Sequence, residues 1–131
     1  MGSTITINGR RISPNDPPYV IAELSANHNG SIKNALDLIG HAKTIGADAI
    51  KLQTYRPDTI ALKSDAPEFF IEDGLWRGRT LYDLYQETHT PWDWHPQLFD
   101  CARKADITIF SSPFDITAVD FLEDLGAPAY K

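Results

Sequence analysis

The sequence predicts an α/β protein: the N-terminal half of a TIM (β/α)8 barrel preceded by a β-hairpin. Three observations carry that reading. Near-continuous apolar runs of strand length alternate with stretches of helical apolar periodicity. The connections between them are short, which makes the strands parallel. The strand centres at Ile21 and Ile50 lie about one barrel unit apart, since roughly 250 residues shared among eight units gives about 31 each. A doubly wound sheet is the competing architecture for the same pattern.

Thr4-Ile5-Thr6-Ile7 and Arg10-Arg11-Ile12 flank Asn8-Gly9. Asn-Gly between β-prone runs signals a tight hairpin, because both turn positions need positive φ. Ser13 to Pro18 is turn-rich and closes this unit. Tyr19 to Leu24 is an apolar run expected to form a strand buried on both faces. The polar loop Ser25 to Gly30 follows, and Ser31 is a suitable helix N-cap. Ile32, Ala35, Leu36, Ile39, Ala42 and Ile45 then recur on one helical face, with Gly46 where a left-handed terminating residue is needed. Ala49 to Thr54 is the next buried strand.

Tyr55 to Gly78 contains Pro57, Pro67, Gly74 and Gly78 and reads as a long loop, a type that is usually functional or mobile. Thr80 caps a short helix with Leu81, Leu84 and Tyr85 on one side. Thr90-Pro91 begins another, with Trp94, Leu98, Cys101, Ala102 and Ala105 facing inward. Pro96 implies a kink or a restart near His95. Ile107 to Ser112 is a third strand. Asp115 caps a helix carrying Ala118, Phe121, Leu122 and Leu125, which Gly126 and Pro128 stop. Ala129-Tyr130-Lys131 reads as the opening of a fourth strand. Residues 1–18 thus form a hairpin and linker, and residues 19–131 a partial barrel cut at the fourth strand. Half a barrel leaves unpaired sheet edges and an uncovered interior face, so the chain is expected to be a fragment.

The composition, 42% hydrophobic and 23% charged over 131 residues, is that of a soluble globular domain. A net charge of −6 without a basic stripe argues against nucleic acid or an anionic membrane as partner. No run reaches the roughly 18 apolar residues of a membrane span, and Met1 to Thr4 does not open a secretory signal. The lone Cys101 excludes an internal disulfide and a multi-cysteine zinc site. A reducing, cytoplasmic location is expected.

Parallel strands present their C-terminal ends as the active face. Those ends are polar here: Glu23, Lys51 and Gln53, Ser111-Ser112, and finally Lys131. An unpaired buried charge costs several kcal/mol, so three charged groups at one mouth need a reason. One is a structural Glu23–Lys51 ion pair with loop-capping serines. The other is an anion site, in which two ammonium groups and hydroxyl donors grip a phosphate or carboxylate while Glu23 handles protons. The histidines have no metal-ligand spacing. His28 alone lies near the active face, and it suits a loop-orienting hydrogen bond better than metal ligation. His41 reads as solvated and Cys101 as inert core. Asn27 and Asn29 suit positive-φ turn positions. Trp76, Arg77 and Arg79 are either exposed decoration or a lid that grips a polar substrate.

The stretch Ile21-Ala22-Glu23-Leu24-Ser25-Ala26-Asn27-His28-Asn29-Gly30, then Gly46-Ala47-Asp48-Ala49-Ile50-Lys51-Leu52-Gln53-Thr54, resembles the sialic acid synthase family. So do Phe110-Ser111-Ser112-Pro113-Phe114 and Pro128-Ala129-Tyr130-Lys131. Gly74-Leu75-Trp76, Thr80 to Tyr85 and Thr90-Pro91-Trp92-Asp93-Trp94-His95 are similar to the pseudaminic acid synthase branch. The resemblance runs from Ile5 to Lys131.

It implies a TIM barrel that condenses phosphoenolpyruvate with an N-acetylated amino sugar, a 2,4-diacetamido-2,4,6-trideoxy-altrose in that branch, to give pseudaminic acid and phosphate. It implies Lys51, Lys131 and Ser112 on phosphoenolpyruvate, Glu23 as the catalytic proton carrier, and Gln53 and Trp76 at the sugar. It further implies a divalent metal (Mn2+ or Mg2+) that polarises the sugar aldehyde, held by histidines of later strands absent from this chain, and a homodimer at full length. The 131 residues alone are expected to be inactive. N-acetylneuraminate or legionaminate synthesis are alternatives within the family. A Schiff-base aldolase using Lys51 and a folded but inert assembly module are alternatives outside it.

Overall fold

The computed structural model describes residues 4–131; Met1 to Ser3, which the sequence reading placed in the N-terminal unit, lie outside the described residues. β1 (Ile5–Ile7) and β2 (Arg10–Ile12) pair antiparallel, with Ile7 opposite Arg10. Between them Asn8 and Gly9 take φ of 47° and 82°, the two positive values that this kind of turn demands. The hairpin docks on the N-terminal ends of the strands that follow. Arg10 forms an ion pair with Asp48, and the Asn8 amide donates to Thr108 Oγ1 at 3.2 Å.

β3 (Ile21–Glu23), β4 (Ala49–Thr54) and β5 (Thr108–Pro113) form a parallel sheet in the order β3-β4-β5. The fourth-strand segment decides the architecture. Tyr130 bridges in parallel to Ser111 of β5, and Lys131 N–H donates to the Ser111 carbonyl at 3.2 Å. In a doubly wound sheet the strand order reverses, so a later strand returns to lie beside the first. Here each strand lies beside its predecessor, as in a barrel wall.

Helices α1 (Ile32–Thr44), α4 (His95–Lys104) and α5 (Ile116–Asp124) contribute to one core. Ala35, Ile39 and Ala42 of α1, Leu98, Phe99 and Ala102 of α4, and Leu122 of α5 pack with Leu24, Ile50, Leu52, Ile107 and Ile109. Side chains alternate along a strand, so the other face of the sheet carries Glu23, Lys51, Gln53, Phe110 and Ser112. Between β4 and β5 run the short α2 (Pro57–Ile60), a 3₁₀ turn at Pro67–Phe69, and α3 (Leu81–Thr88). The segment 55–78 therefore holds no long element, as its prolines and glycines imply.

The caps are those the sequence predicts. Ser31, Thr80 and Asp115 side chains accept from Asn34, Asp83, and Thr117 and Ala118 N–H groups respectively. A 3₁₀ turn at Trp92–Trp94 hands over to α4 at His95. Pro96 then falls in the first turn, where no intrahelical N–H bond is lost.

Four expectations are corrected. The strand expected over Tyr19 to Leu24 shortens to three residues and is not buried on both faces. Val20 and Ile21 are 54% and 40% exposed, because β3 is the sheet edge and only Ala22 and Leu24 face the helices. Ile45 is 80% exposed because it is the C-cap of α1, past the last turn that packs. Asn29 has positive φ, but its partner in that loop is Ser25, at 49°, rather than Asn27. Ser111 turns into the helix-side core, away from the mouth.

Candidate active site at the strand ends

The parallel register sets Glu23 beside Lys51 and Lys51 beside Phe110, and two residues further on it sets Gln53 beside Ser112. Lys51 Nζ lies 2.8 Å from Glu23 Oε1. The lysine side chain is 5% exposed and the carboxylate 57%, so the cation is sheltered while its partner faces solvent. The Lys51 hydrogen bond and charge hold the Glu23 carboxyl below its ordinary range, and Lys131 adds to the effect. Lys131 therefore lies within electrostatic reach of Glu23, held there by its backbone bond to Ser111. Lys51 sits on the solvent-facing carboxylate and Lys131 adds positive charge to the same rim, an arrangement that can receive a small anion, while the carboxylate can accept a proton.

Gln53 Oε1 accepts from Ser25 Oγ at 3.1 Å, which joins the ends of β3 and β4. Gln53 and Trp76 line a common cavity of about 410 Å³. Trp76 also lines an adjoining cleft of about 360 Å³ with Asn27, Asn29 and Gly30. It sits on a turn with positive φ at Gly74 and Gly78, closed by Gly78 N–H to Ile71 O and Ile71 N–H to Arg79 O, both 2.9 Å. The Arg79 guanidinium lies 5.5 Å from the Trp76 ring and bonds Glu87 of α3 at 2.6 Å. Arg77 is exposed. The structure thus pairs Glu23 with Lys51, sets Lys131 beside β5 at the same rim, and places Gln53 and Trp76 around the neighbouring cavity. Ser112 lies next to Gln53 by register.

His28 is fully buried, and its Nδ1 accepts from Gly30 N–H at 3.0 Å, which orients the loop after β3. Burial, then repulsion from His89, holds its imidazole below the ordinary value. Among the described residues, no three His, Cys, Asp or Glu side chains gather as a metal centre would require.

Two features escaped the sequence reading. The aromatic groups of the cavity, Tyr55, Tyr85 and Phe114, come from three separate segments; the position of Tyr55 just past a strand end was the available signal. The second is a buried polar network on the helix side. Thr54 Oγ1 lies 2.9 Å from His95 Nε2 and 2.7 Å from Ser111 Oγ, and His95 Nδ1 lies 3.1 Å from Pro91 O. Burial depresses the His95 imidazole to about 4. Strand parity separates Thr54 and Ser111 from Gln53 and Ser112.

The NeuB family profile matches residues 38–131. The chain is 51% identical over 113 residues to pseudaminic acid synthase of Campylobacter jejuni, covering 86% of this chain and 33% of that protein. It is 48% identical over 115 residues to the pseudaminic acid synthase of Helicobacter pylori, covering 88% and 34%. To the N,N'-diacetyllegionaminic acid synthase of Legionella pneumophila it is 33% identical, covering 100% and 37%. The chain spans about a third of the length of these relatives. Among solved structures, N-acetylneuraminic acid synthetase of Leptospira borgpetersenii superposes with a TM-score of 0.80 at 25% identity, over 99% of this chain and 41% of that one. The spore coat polysaccharide biosynthesis protein SpsE of Bacillus subtilis superposes at 0.72 and 26%, over 98% and 32%. Fold and sequence agree: the chain belongs to the NeuB family.

Proposed function

We propose that this chain carries the phosphoenolpyruvate-facing half of a nonulosonic acid synthase, one that joins phosphoenolpyruvate to a 2,4-diacetamido-2,4,6-trideoxy-altrose to give pseudaminic acid and phosphate. The observation that carries the reading is the Lys51–Glu23 pair at the strand ends, with Lys131 beside β5 at the same rim. The half-identical pseudaminic acid synthases support the choice of sugar.

In this reading Lys51 and Lys131 bind the phosphate or carboxylate of phosphoenolpyruvate, and the Ser112 hydroxyl contributes a further donor. The enol carbon attacks the sugar aldehyde, so a carbon–carbon bond forms and the aldehyde oxygen takes up a proton. Water then adds at C2 of the former enol, and phosphate leaves by carbon–oxygen cleavage. Glu23, kept ionised by its cationic neighbours, accepts the proton of that water. Gln53 and Trp76 contact the sugar. The donor set described here does not make a metal centre, so no step is assigned to a metal; the Mn2+ or Mg2+ that the resemblance implies would need ligands from outside these residues. Half a site is expected to bind without turning over. The cytoplasmic location and the dimer are part of the same reading, and no described helix is long and apolar enough to cross a membrane.

Phosphoenolpyruvate titrated into the chain, with its phosphorus resonance followed by NMR, tests this. Saturable broadening that is lost in Lys51→Met and weakened in Lys131→Met is expected. Broadening that is absent, or that survives both substitutions, overturns the assignment. Borohydride reduction with pyruvate is expected to leave the mass unchanged; an adduct on Lys51 would favour the aldolase instead.

A further inference from the structure

The cavity beside the charged cluster is built from apolar groups. Tyr55 stands edge-on to Tyr85 at 5.9 Å and to Phe114 at 5.3 Å between ring centroids. Ile60, Leu84 and Trp76 complete the apolar lining of its roughly 410 Å³. Several polar atoms of this wall are engaged with one another. Tyr55 Oη lies 3.1 Å from Thr88 Oγ1, Thr88 Oγ1 donates to Leu84 O at 3.0 Å, and Ser25 Oγ donates to Gln53 Oε1 at 3.1 Å.

A sugar hydroxyl set against the aromatic and aliphatic faces of this pocket gives up bonds to water that those faces do not replace, which is costly. A methyl group entering it gains burial against aromatic faces. Gln53 lies in the same cavity and stands two residues past Lys51 on the same strand face, about 7 Å along the strand. A molecule reaching from the charged cluster along Gln53 extends one end into the aromatic box.

We propose that the pocket formed by Tyr55, Tyr85, Phe114, Ile60, Leu84 and Trp76 is the subsite for a methyl-bearing substituent of the sugar acceptor, an acyl group or a deoxygenated carbon, and selects against a hydroxyl at that position. This rests on the reading of the site as a sugar-condensing synthase. Arg79, clamped by Glu87, is the positioning residue that holds Trp76 at the pocket.

Saturation-transfer NMR on the chain with 2-acetamido-2,6-dideoxymannose tests it, because the acetyl and C6 methyl signals are resolved from each other and from the ring protons. At least one methyl is expected to saturate more strongly than the ring, and Trp76→Ala and Phe114→Ser each to weaken binding about tenfold, the scale of one apolar group in a pocket. If the C6 methyl is the occupant, N-acetylmannosamine binds about tenfold more weakly; if the acetyl methyl is, N-acetylmannosamine binds equally well with its acetyl signal strongest. Either pattern supports the subsite. Saturation confined to ring protons, or none at all, overturns it. Phosphoenolpyruvate is absent from these samples, so failure here leaves the anion cluster to its own titration.

Discussion

Lys51 and Glu23 form one ion pair with two environments, the ammonium sheltered at 5% exposure and the carboxylate open at 57%. The two ends of the pair should therefore respond unequally to substitution. Glu23→Gln strands the buried cation, and leaving such a group without its charged partner costs on the order of 2 kcal/mol. Lys51→Met removes the buried charge and leaves a carboxylate that water already solvates, so its effect should stay below about 1 kcal/mol. Urea unfolding of both variants measures the difference; equal losses would contradict the asymmetry.

His95 links folding to acid. Its folded value of about 4 lies below the ordinary 6.5 because burial penalises the imidazolium. The unfolded chain takes up this proton first, so the stabilisation is complete above about pH 6.5 and is lost as pH falls towards 4. At about 1.4 kcal/mol per pH unit, the loss amounts to roughly 3 kcal/mol across the window. Urea midpoints from pH 7 to pH 4.5 should fall steeply in the native chain and more gently in His95→Leu, which starts lower because Thr54 loses one of its two partners. Parallel slopes would place the linkage elsewhere.

Asp48 fastens the N-terminal hairpin. One oxygen accepts from Val20 N–H at 2.7 Å and the other pairs with Arg10. Asp48→Ala should destabilise by about 1 kcal/mol and accelerate amide exchange over residues 5–12 while β4 and β5 stay protected. Unchanged exchange in the hairpin would show that Asn8 and the other contacts suffice.

Asp115 caps α5 with a single oxygen that accepts from Thr117 N–H and Ala118 N–H, and its carboxyl is held below the usual range first by the Thr117 hydroxyl and then by these backbone bonds. Asp115→Ala should cost about 1 kcal/mol and Asp115→Asn less. Because the folded value is depressed, the benefit is present above about pH 4 and vanishes as pH falls through the folded value. Thermal unfolding at pH 7 and pH 3 should therefore separate Asp115→Ala from the native chain more widely at the higher pH.

What could be read from the chain followed the range of the interactions. Caps, the Asn8-Gly9 turn, the β4 run and the restart at His95 depend on neighbours within a few residues, and each was legible. The pairing of Glu23 with Lys51 was legible because strand ends in a parallel sheet share one side. The exposure of Ile21 was not, since an edge depends on which strand lies beyond it. Ser111 and Ser112 look alike in sequence, yet strand parity sends the first to His95 and the second to the opposite face. The aromatic pocket was illegible because Tyr55, Tyr85 and Phe114 meet only through the path of segment 55–78.

The pairing of Tyr130 beside β5, itself beside β4 and β3, carries a consequence for biogenesis. β4, β5 and the Tyr130 segment each pair, as they emerge from the ribosome, with the strand made just before them, so this part of the sheet assembles without a distant partner. The hairpin and these strands can therefore fold vectorially during translation, and the rim that carries Glu23 and Lys51 takes shape once β4 has cleared the exit tunnel.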